Sequence, residues 1–205
     1  MSAPVADAAA DRPSHAADAR ILILSGPSGT GKSTVVRELL AANCANVRAC
    51  VSATTRPART GEVDGRDYHF LSDQEFRRRR DAGEFLETAE VHGRGHWYGS
   101  LWSEIDAAAA DDAWALLEID VTGAKTVLAR YPDAVTAFLS TSTEEEFERR
   151  LRARGTESEA DIRRRIETAR TELAEADGYR FRVYNDDLQA AVRRLCEILS
   201  APHSP

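Results

Sequence analysis

The sequence predicts an α/β protein in which a parallel sheet is flanked by helices and interrupted by an inserted segment. Three observations lead there. The apolar run Ile21 to Leu24 feeds directly into the glycine-rich stretch Gly26 to Ser33, and a helical pattern follows it. Further on, short apolar runs of strand length alternate with helical patterns, the signature of strand–helix–strand units and a parallel sheet. Between Ala53 and Ser100 that rhythm breaks into short polar segments punctuated by Gly61, Gly65, Gly83, Gly93, Gly95 and Gly99, as expected of an insertion.

Taken in order, Ile21 to Leu24 reads as a buried strand, Lys32 to Ala42 as a helix and Val47 to Ser52 as a short strand. After the insertion, Leu101 to Ala110 is helical, Trp114 to Ile119 is a buried strand, Gly123 to Arg130 is a helix and Val135 to Leu139 is a further strand. Thr143 and Glu146 have capping-box spacing and open a helix running through Arg152, which Gly155 ends. A highly charged helix follows from about Ser158 to Ala176, then a strand at Arg180 to Tyr184 and a closing helix at Leu188 to Leu199. Most arginines between Glu144 and Arg170 are expected on solvated faces, paired with glutamates one turn away.

The 205 residues suffice for one globular unit with a sizeable core. Residues 1–19, rich in Ala and Asp with Pro4 and Pro13, read as a disordered tail that is neither a signal peptide nor a membrane span. The net charge of −7 argues against broad binding of nucleic-acid polymers, although arginines cluster locally. Cys44, Cys50 and Cys196 are odd in number and lack metal-ligand spacing, so they are expected to be inert thiols of a reducing, cytoplasmic protein.

The chemistry starts at Gly26-Pro27-Ser28-Gly29-Thr30-Gly31-Lys32-Ser33, a complete G-x-x-x-x-G-K-[ST] loop. A strand, a glycine-rich turn and a helix N-terminus aim successive backbone N–H groups at one small volume, which favours a polyphosphate. The backbone of Gly26, Ser28, Gly29, Thr30, Gly31, Lys32, Ser33 and Thr34 is thus expected to wrap a nucleoside triphosphate. Lys32 would bridge its terminal phosphates and the Ser33 hydroxyl would help hold Mg²⁺. Lysine is scarce, with Lys32 and Lys125 the only two, so a chance match is improbable. Within the insertion, Arg56, Arg59 and Tyr68 are spaced so that short connections could aim them at one anion. Two guanidinium forks and a phenol suit a phosphate monoester, while a solvated loop is the plain structural alternative.

A set of blocks in order makes a resemblance specific. They are the phosphate loop, Ser52 to Phe70 (Ser-Ala-Thr-Thr-Arg-Pro-Ala-Arg-Thr-Gly-Glu-Val-Asp-Gly-Arg-Asp-Tyr-His-Phe), Glu84-Phe85-Leu86-Glu87, Tyr98-Gly99-Ser100, Ile119-Asp120-Val121-Thr122-Gly123, Arg154-Gly155-Thr156-Glu157 and Asn185-Asp186-Asp187. Over Arg20 to Ser200 the chain resembles the guanylate kinase family, which transfers a phosphoryl group from ATP to GMP. The resemblance implies a P-loop NTPase core (20–51, 102–140 and 178–200), a GMP-binding insertion (52–101) and a small helical lid (about 141–177). It implies that Arg56, Arg59, Tyr68 and Tyr98 hold the GMP phosphate and that Ser52, Glu87 and Ser100 meet the guanine. Glu118 and Asp120, the second above all, resemble acidic positions facing the acceptor's sugar or base and the metal's water shell, with a cap of the next helix as the alternative for an acidic residue there. Arg154 and Arg165 would reach the ATP phosphates from the lid, with Arg150 near the nucleotide and Asn185 near the adenine.

A carboxylate at Glu87 can accept from guanine N1–H and the 2-amino group, a donor pair adenine lacks. The stretch from Glu87 to Tyr98 is about two residues longer than is usual in the family, which a longer hairpin around Gly93 to Gly95 would absorb. Two other readings compete: a related phosphokinase with a repurposed acceptor, and a non-catalytic binding module. The intact Lys32 and Ser33 count against the second, and the absence of an Asn-Lys-x-Asp segment counts against a GTPase switch.

Overall fold

The computed structural model describes residues 19–90, 95–153 and 159–202. Residues 1–18, 91–94, 154–158 and 203–205 lie outside them, and with them the Arg154 assignment and the expected helix stop at Gly155. In chain order the elements are β1 (Ile21–Ser25), α1 (Lys32–Ala42), β2 (Val47–Ala49), β3 (Ala53–Thr54), β4 (His69–Phe70), α2 (Asp73–Asp81), β5 (Phe85–Glu90), β6 (Trp97–Leu101), α3 (Trp102–Ala110), β7 (Trp114–Glu118), α4 (Val121–Arg130), β8 (Val135–Ser140), α5 (Glu144–Ala153), α6 (Glu159–Ala174), β9 (Phe181–Tyr184) and α7 (Leu188–Ser200). They form two compact units, Arg20–Ala49 with 113–202, and Cys50–Asp112.

The larger unit is built on a five-stranded sheet in the order β2-β7-β1-β8-β9, all pairs parallel. β1 is central and buried at every residue, which explains why Ile21 to Leu24 is a continuous apolar run rather than an alternating one. One core joins Leu22 and Leu24 of β1 to Val35 and Leu39 of α1, Leu139 of β8 and Val192, Leu195 and Ile198 of α7. Burial of each such side chain contributes about 1.5–3 kcal/mol, so apolar packing is a main tie between the sheet and helices α1 and α7. A separate cluster of Phe147, Leu151, Ile162, Ile166 and Ala169 ties α5 to α6. Helix α5 opens as expected, with Thr143 Oγ1 accepting from Glu146 N at 3.2 Å. The Glu146 carboxylate binds Arg149 and Arg150, both at 2.7 Å.

The smaller unit has a four-stranded sheet, β4-β3-β6-β5, with β3–β4 parallel and the other pairs antiparallel. Phe76 of α2 stacks on Phe85 of β5, ring centroids 4.6 Å apart, over Ala53 and Leu101. The polar texture of this region hid α2. Only Phe76 is buried along it, so no apolar stripe marks the helix, yet Ser72 caps it by accepting from Glu75 N at 3.1 Å. Two assignments shift. The expected strand Val47 to Ser52 stops at Ala49, and the chain then enters the second sheet at Ala53. Helix α3, read as part of the core from residue 102, packs in the smaller unit.

The cysteine reading is corrected. Cys44, just past the end of α1, is bonded to Cys196 in α7, with Cα atoms 5.7 Å apart across 152 residues. Cys50 is not part of the disulfide. The pairing arises because α1 packs on α7, a neighbourhood that spacing along the chain does not reveal. Among the described residues no helix is long and apolar enough to cross a membrane.

Candidate active site

The loop Gly26–Gly31 turns as its sequence requires. Gly26 has φ 145° and Gly31 has φ 89°. A Cβ at Gly26 would collide with the Leu139 carbonyl, and one at Gly31 would lie 2.7 Å from Asn185 Nδ2. Helix α1 begins at Lys32 with no side chain capping its first turn. Its leading N–H groups and positive dipole end are therefore available to an anion. Thr30 Oγ1 donates to Pro27 O at 2.9 Å, and Lys32 Nζ donates to Gly26 O at 2.5 Å and Pro27 O at 3.2 Å.

Burial pulls the Lys32 ammonium below its usual range, opposed by the charges of Glu118, Glu172 and Asp120 and reinforced by Arg165. A phosphate arriving there meets a lysine whose desolvation has already occurred on folding. Ser33 Oγ donates to Glu118 Oε1 at 3.2 Å, placing a hydroxyl and a carboxylate side by side at the end of β7. Asp120 Oδ1 accepts from Gly123 N at 2.7 Å, so it is the N-cap of α4, the structural alternative left open by the sequence. Of the two acidic positions, Glu118 is the one in contact with the loop.

Arg165 of α6 reaches the loop directly, with Nη2 donating to both Ser28 O and Ser28 Oγ at 3.1 Å. Arg150 of α5 donates to Asp186 O at 3.3 Å as well as to Glu146. Asn185 is buried, and its Nδ2 donates to Thr30 O at 2.7 Å, holding the loop from beneath. Thr34 lies in the first turn of α1. The Arg154 assignment falls outside the described residues. Glu172 was not singled out by sequence; it lies near the end of α6, and burial pushes its carboxyl up while Lys32 draws it down.

In the smaller unit the expected acceptor residues gather. The Arg56 guanidinium lies 5.4 Å from the centre of the Tyr68 ring, and Tyr68 meets Tyr98 edge-on at 5.9 Å. Arg59 is exposed on the turn that follows. Glu87 is only 6% exposed and accepts from Ser100 Oγ at 2.8 Å, the two residues lying opposite each other in the β5–β6 ladder. The same ladder pairs Ala89 with Tyr98, so Tyr98 and Ser100 are in register with β5, while the expected longer hairpin around Gly93 to Gly95 falls partly outside the described residues. Ser52 accepts from His69 N through its carbonyl at 2.9 Å. His69 itself pairs with Glu104 of α3 at 3.1 Å. The sequence quoted Glu62 without a role; the structure puts its carboxylate on Arg56 at 2.9 Å to both oxygens.

A parallel sheet whose central strand ends in this loop defines a P-loop nucleotide-binding protein. Comparison narrows the class. The guanylate kinase family model matches residues 18–202. The chain is 44% identical to a guanylate kinase of Rhodopirellula baltica over 191 residues, covering 93% of this chain and 90% of the relative. It is 45% identical to a guanylate kinase of Mycobacterium bovis over 192 residues, covering 93% and 92%. The crystal structure of guanylate kinase from Anaplasma phagocytophilum superposes with a TM-score of 0.74 at 30% identity, covering 91% of this chain and 87% of that one. The chain belongs to the guanylate kinase family.

Proposed function

We propose that this protein transfers the γ-phosphoryl group of ATP to GMP, and to dGMP, giving ADP and GDP or dGDP. The observation that carries the acceptor choice is the buried Glu87–Ser100 pair in the same small unit as Arg56, Tyr68 and Tyr98. A buried carboxylate facing a base must be matched by donors, which guanine supplies at N1 and the 2-amino group and adenine does not. Ser52 completes the base contacts, and Arg56, Arg59, Tyr68 and Tyr98 take the phosphate. The donor triphosphate lies along the loop 26–34. Asn185 acts on it through the Thr30 carbonyl it holds, and Arg150 lies beside the Asp186 segment.

Transfer is direct and in line. The acceptor phosphate oxygen is already ionised near neutral pH, so no strong general base is required, and the protein contributes positioning and charge stabilisation. Lys32, Arg165 and Arg154 supply positive charge to the migrating group. Mg²⁺ fits the oxygen pair Ser33–Glu118, since that ion prefers hard oxygen ligands and retains much of its water shell. Bound there with ATP, it would neutralise phosphate charge. We propose a cytoplasmic location, the compartment of its nucleotide substrates, where the Cys44–Cys196 bond would have to persist in a reducing environment. With ATP labelled in its γ-phosphate, the label is expected in the β-position of GDP. Label appearing only in inorganic phosphate, or retained on the protein, would overturn the proposal.

A further inference from the structure

Arg56 carries five N–H donors, and three are committed within the smaller unit. Nη1 donates to Pro57 O at 2.7 Å and to Glu62 Oε2 at 2.9 Å, while Nη2 donates to Glu62 Oε1 at 2.9 Å. The carboxylate thus grips the guanidinium across its Nη1–Nη2 edge. Nε–H and one Nη2 proton form the other edge of the fork, and Arg56 also hydrogen-bonds the Tyr98 side chain, itself an expected phosphate ligand. Glu62 Oε2 also accepts the Arg59 backbone N–H at 2.6 Å. The Arg56 and Glu62 side chains are 11% and 20% exposed, and the guanidinium is held over the rings of Tyr68 and Phe70 at 5.4 and 5.8 Å. An exposed ion pair is worth little, but this one is shielded, bidentate and tied to a second backbone donor. The hydrogen bonds from Arg56 hold the Glu62 carboxyl below its usual range, and it stays ionised at neutral pH.

We propose that Glu62 is a positioning residue for the acceptor phosphate. It fixes one edge of the Arg56 fork so that the Nε–Nη2 edge is presented to a phosphate monoester, and it pins the turn that carries Arg59. The inference rests on the reading of Arg56, Arg59 and Tyr68 as the acceptor-phosphate site. The physical rival is a carboxylate that occupies the fork and must be displaced by substrate. Placement favours positioning, because Glu62 takes only the Nη1–Nη2 edge and Arg56 also bonds Tyr98, itself an expected phosphate ligand. The two ideas predict opposite signs: removal of a positioning group weakens GMP, whereas removal of a competitor tightens it.

Steady-state kinetics of Glu62→Ala, Glu62→Gln and Glu62→Asp, with GMP and ATP varied separately and thermal melts run alongside, test this. Loss of a charge-assisted pair predicts a KM for GMP raised about 10–100-fold in Glu62→Ala, with KM for ATP within about twofold, since the ATP loop lies in the other unit. Glu62→Gln, which keeps one acceptor oxygen and the shape, should recover part of the loss. A lower KM for GMP in Glu62→Ala would overturn the proposal in favour of the competitor. Equal rises in both KM values with a fall in melting temperature would reduce Glu62 to a structural role and also overturn it. Failure of the native protein to phosphorylate GMP would sink the site reading itself, whereas normal native turnover with an unchanged KM for GMP in Glu62→Ala would sink the positioning role alone.

Discussion

Lys32 shows how much a single residue can be read and how much cannot. Its place in the loop motif gives its partner, a phosphate chain, but not its desolvation, which depends on α6 and β7 packing around it. Lys32→Ala is expected to lower kcat by about a thousandfold or more, because the charge acts where the transferring group develops its own. The same variant should melt within a few degrees of the native protein, since relief from burying a charge offsets the lost bonds to Gly26 O and Pro27 O. Normal GDP formation by this variant would contradict the loop's role. Glu87 is a second case. Its sequence neighbourhood allowed an exposed strand-end glutamate, and only the β5–β6 register shows it buried against Ser100. Glu87→Gln should raise KM for GMP about 10–100-fold while leaving KM for ATP nearly unchanged, since an amide cannot accept both guanine donors at full charge. An unchanged GMP-to-AMP preference would remove Glu87 from base recognition.

At the scale of elements, legibility followed the apolar pattern. Helix α1 appears over Lys32–Ala42 as predicted because its start is set by the glycine loop and its inner face by Val35, Val36 and Leu39. Helix α2 went unseen because one phenylalanine is its entire buried face. Helix α5 carries an acid-sensitive contact: Arg149 and Arg150 hold the Glu146 carboxyl at about 2, against an ordinary value of 4.5. A carboxyl lowered in the folded state contributes stability above pH 4.5 and loses it as pH falls towards 2. Denaturation midpoints of native protein and Glu146→Gln should differ near neutrality and converge at about pH 2; parallel curves would refute the pairing. Glu146 is only partly buried and its partner Arg149 is 67% exposed, which keeps the effect small.

The Cys44–Cys196 link between α1 and α7 was beyond sequence reading for a different reason, since it depends on two helices meeting across 152 residues. Closing so long a loop restricts the unfolded chain by about 5 kcal/mol on a chain-entropy basis. Cys196→Ser should therefore melt about 10 °C lower, and a reducing agent should lower the native melt but not that of the variant. Coincident melts would show that the bond does not form in solution.

Across the whole molecule, the acidic balance of −7 coexists with proposed nucleotide sites made of arginine, lysine and backbone N–H groups, so net charge argues against polymers without describing the sites. The alternation of strands and helices fixed the larger unit, and the ordered motifs located the smaller one, but the contacts of Glu118, Asp120 and Asn185 emerged only from packing. The account stands or falls on acceptor choice. A coupled assay of ADP release across GMP, dGMP, AMP, CMP, UMP and a ribose bisphosphate, at fixed Mg·ATP, measures that choice directly. GMP and dGMP should show the highest kcat/KM, with AMP lower by at least about a hundredfold; a faster reaction with AMP or with the sugar phosphate would contradict it.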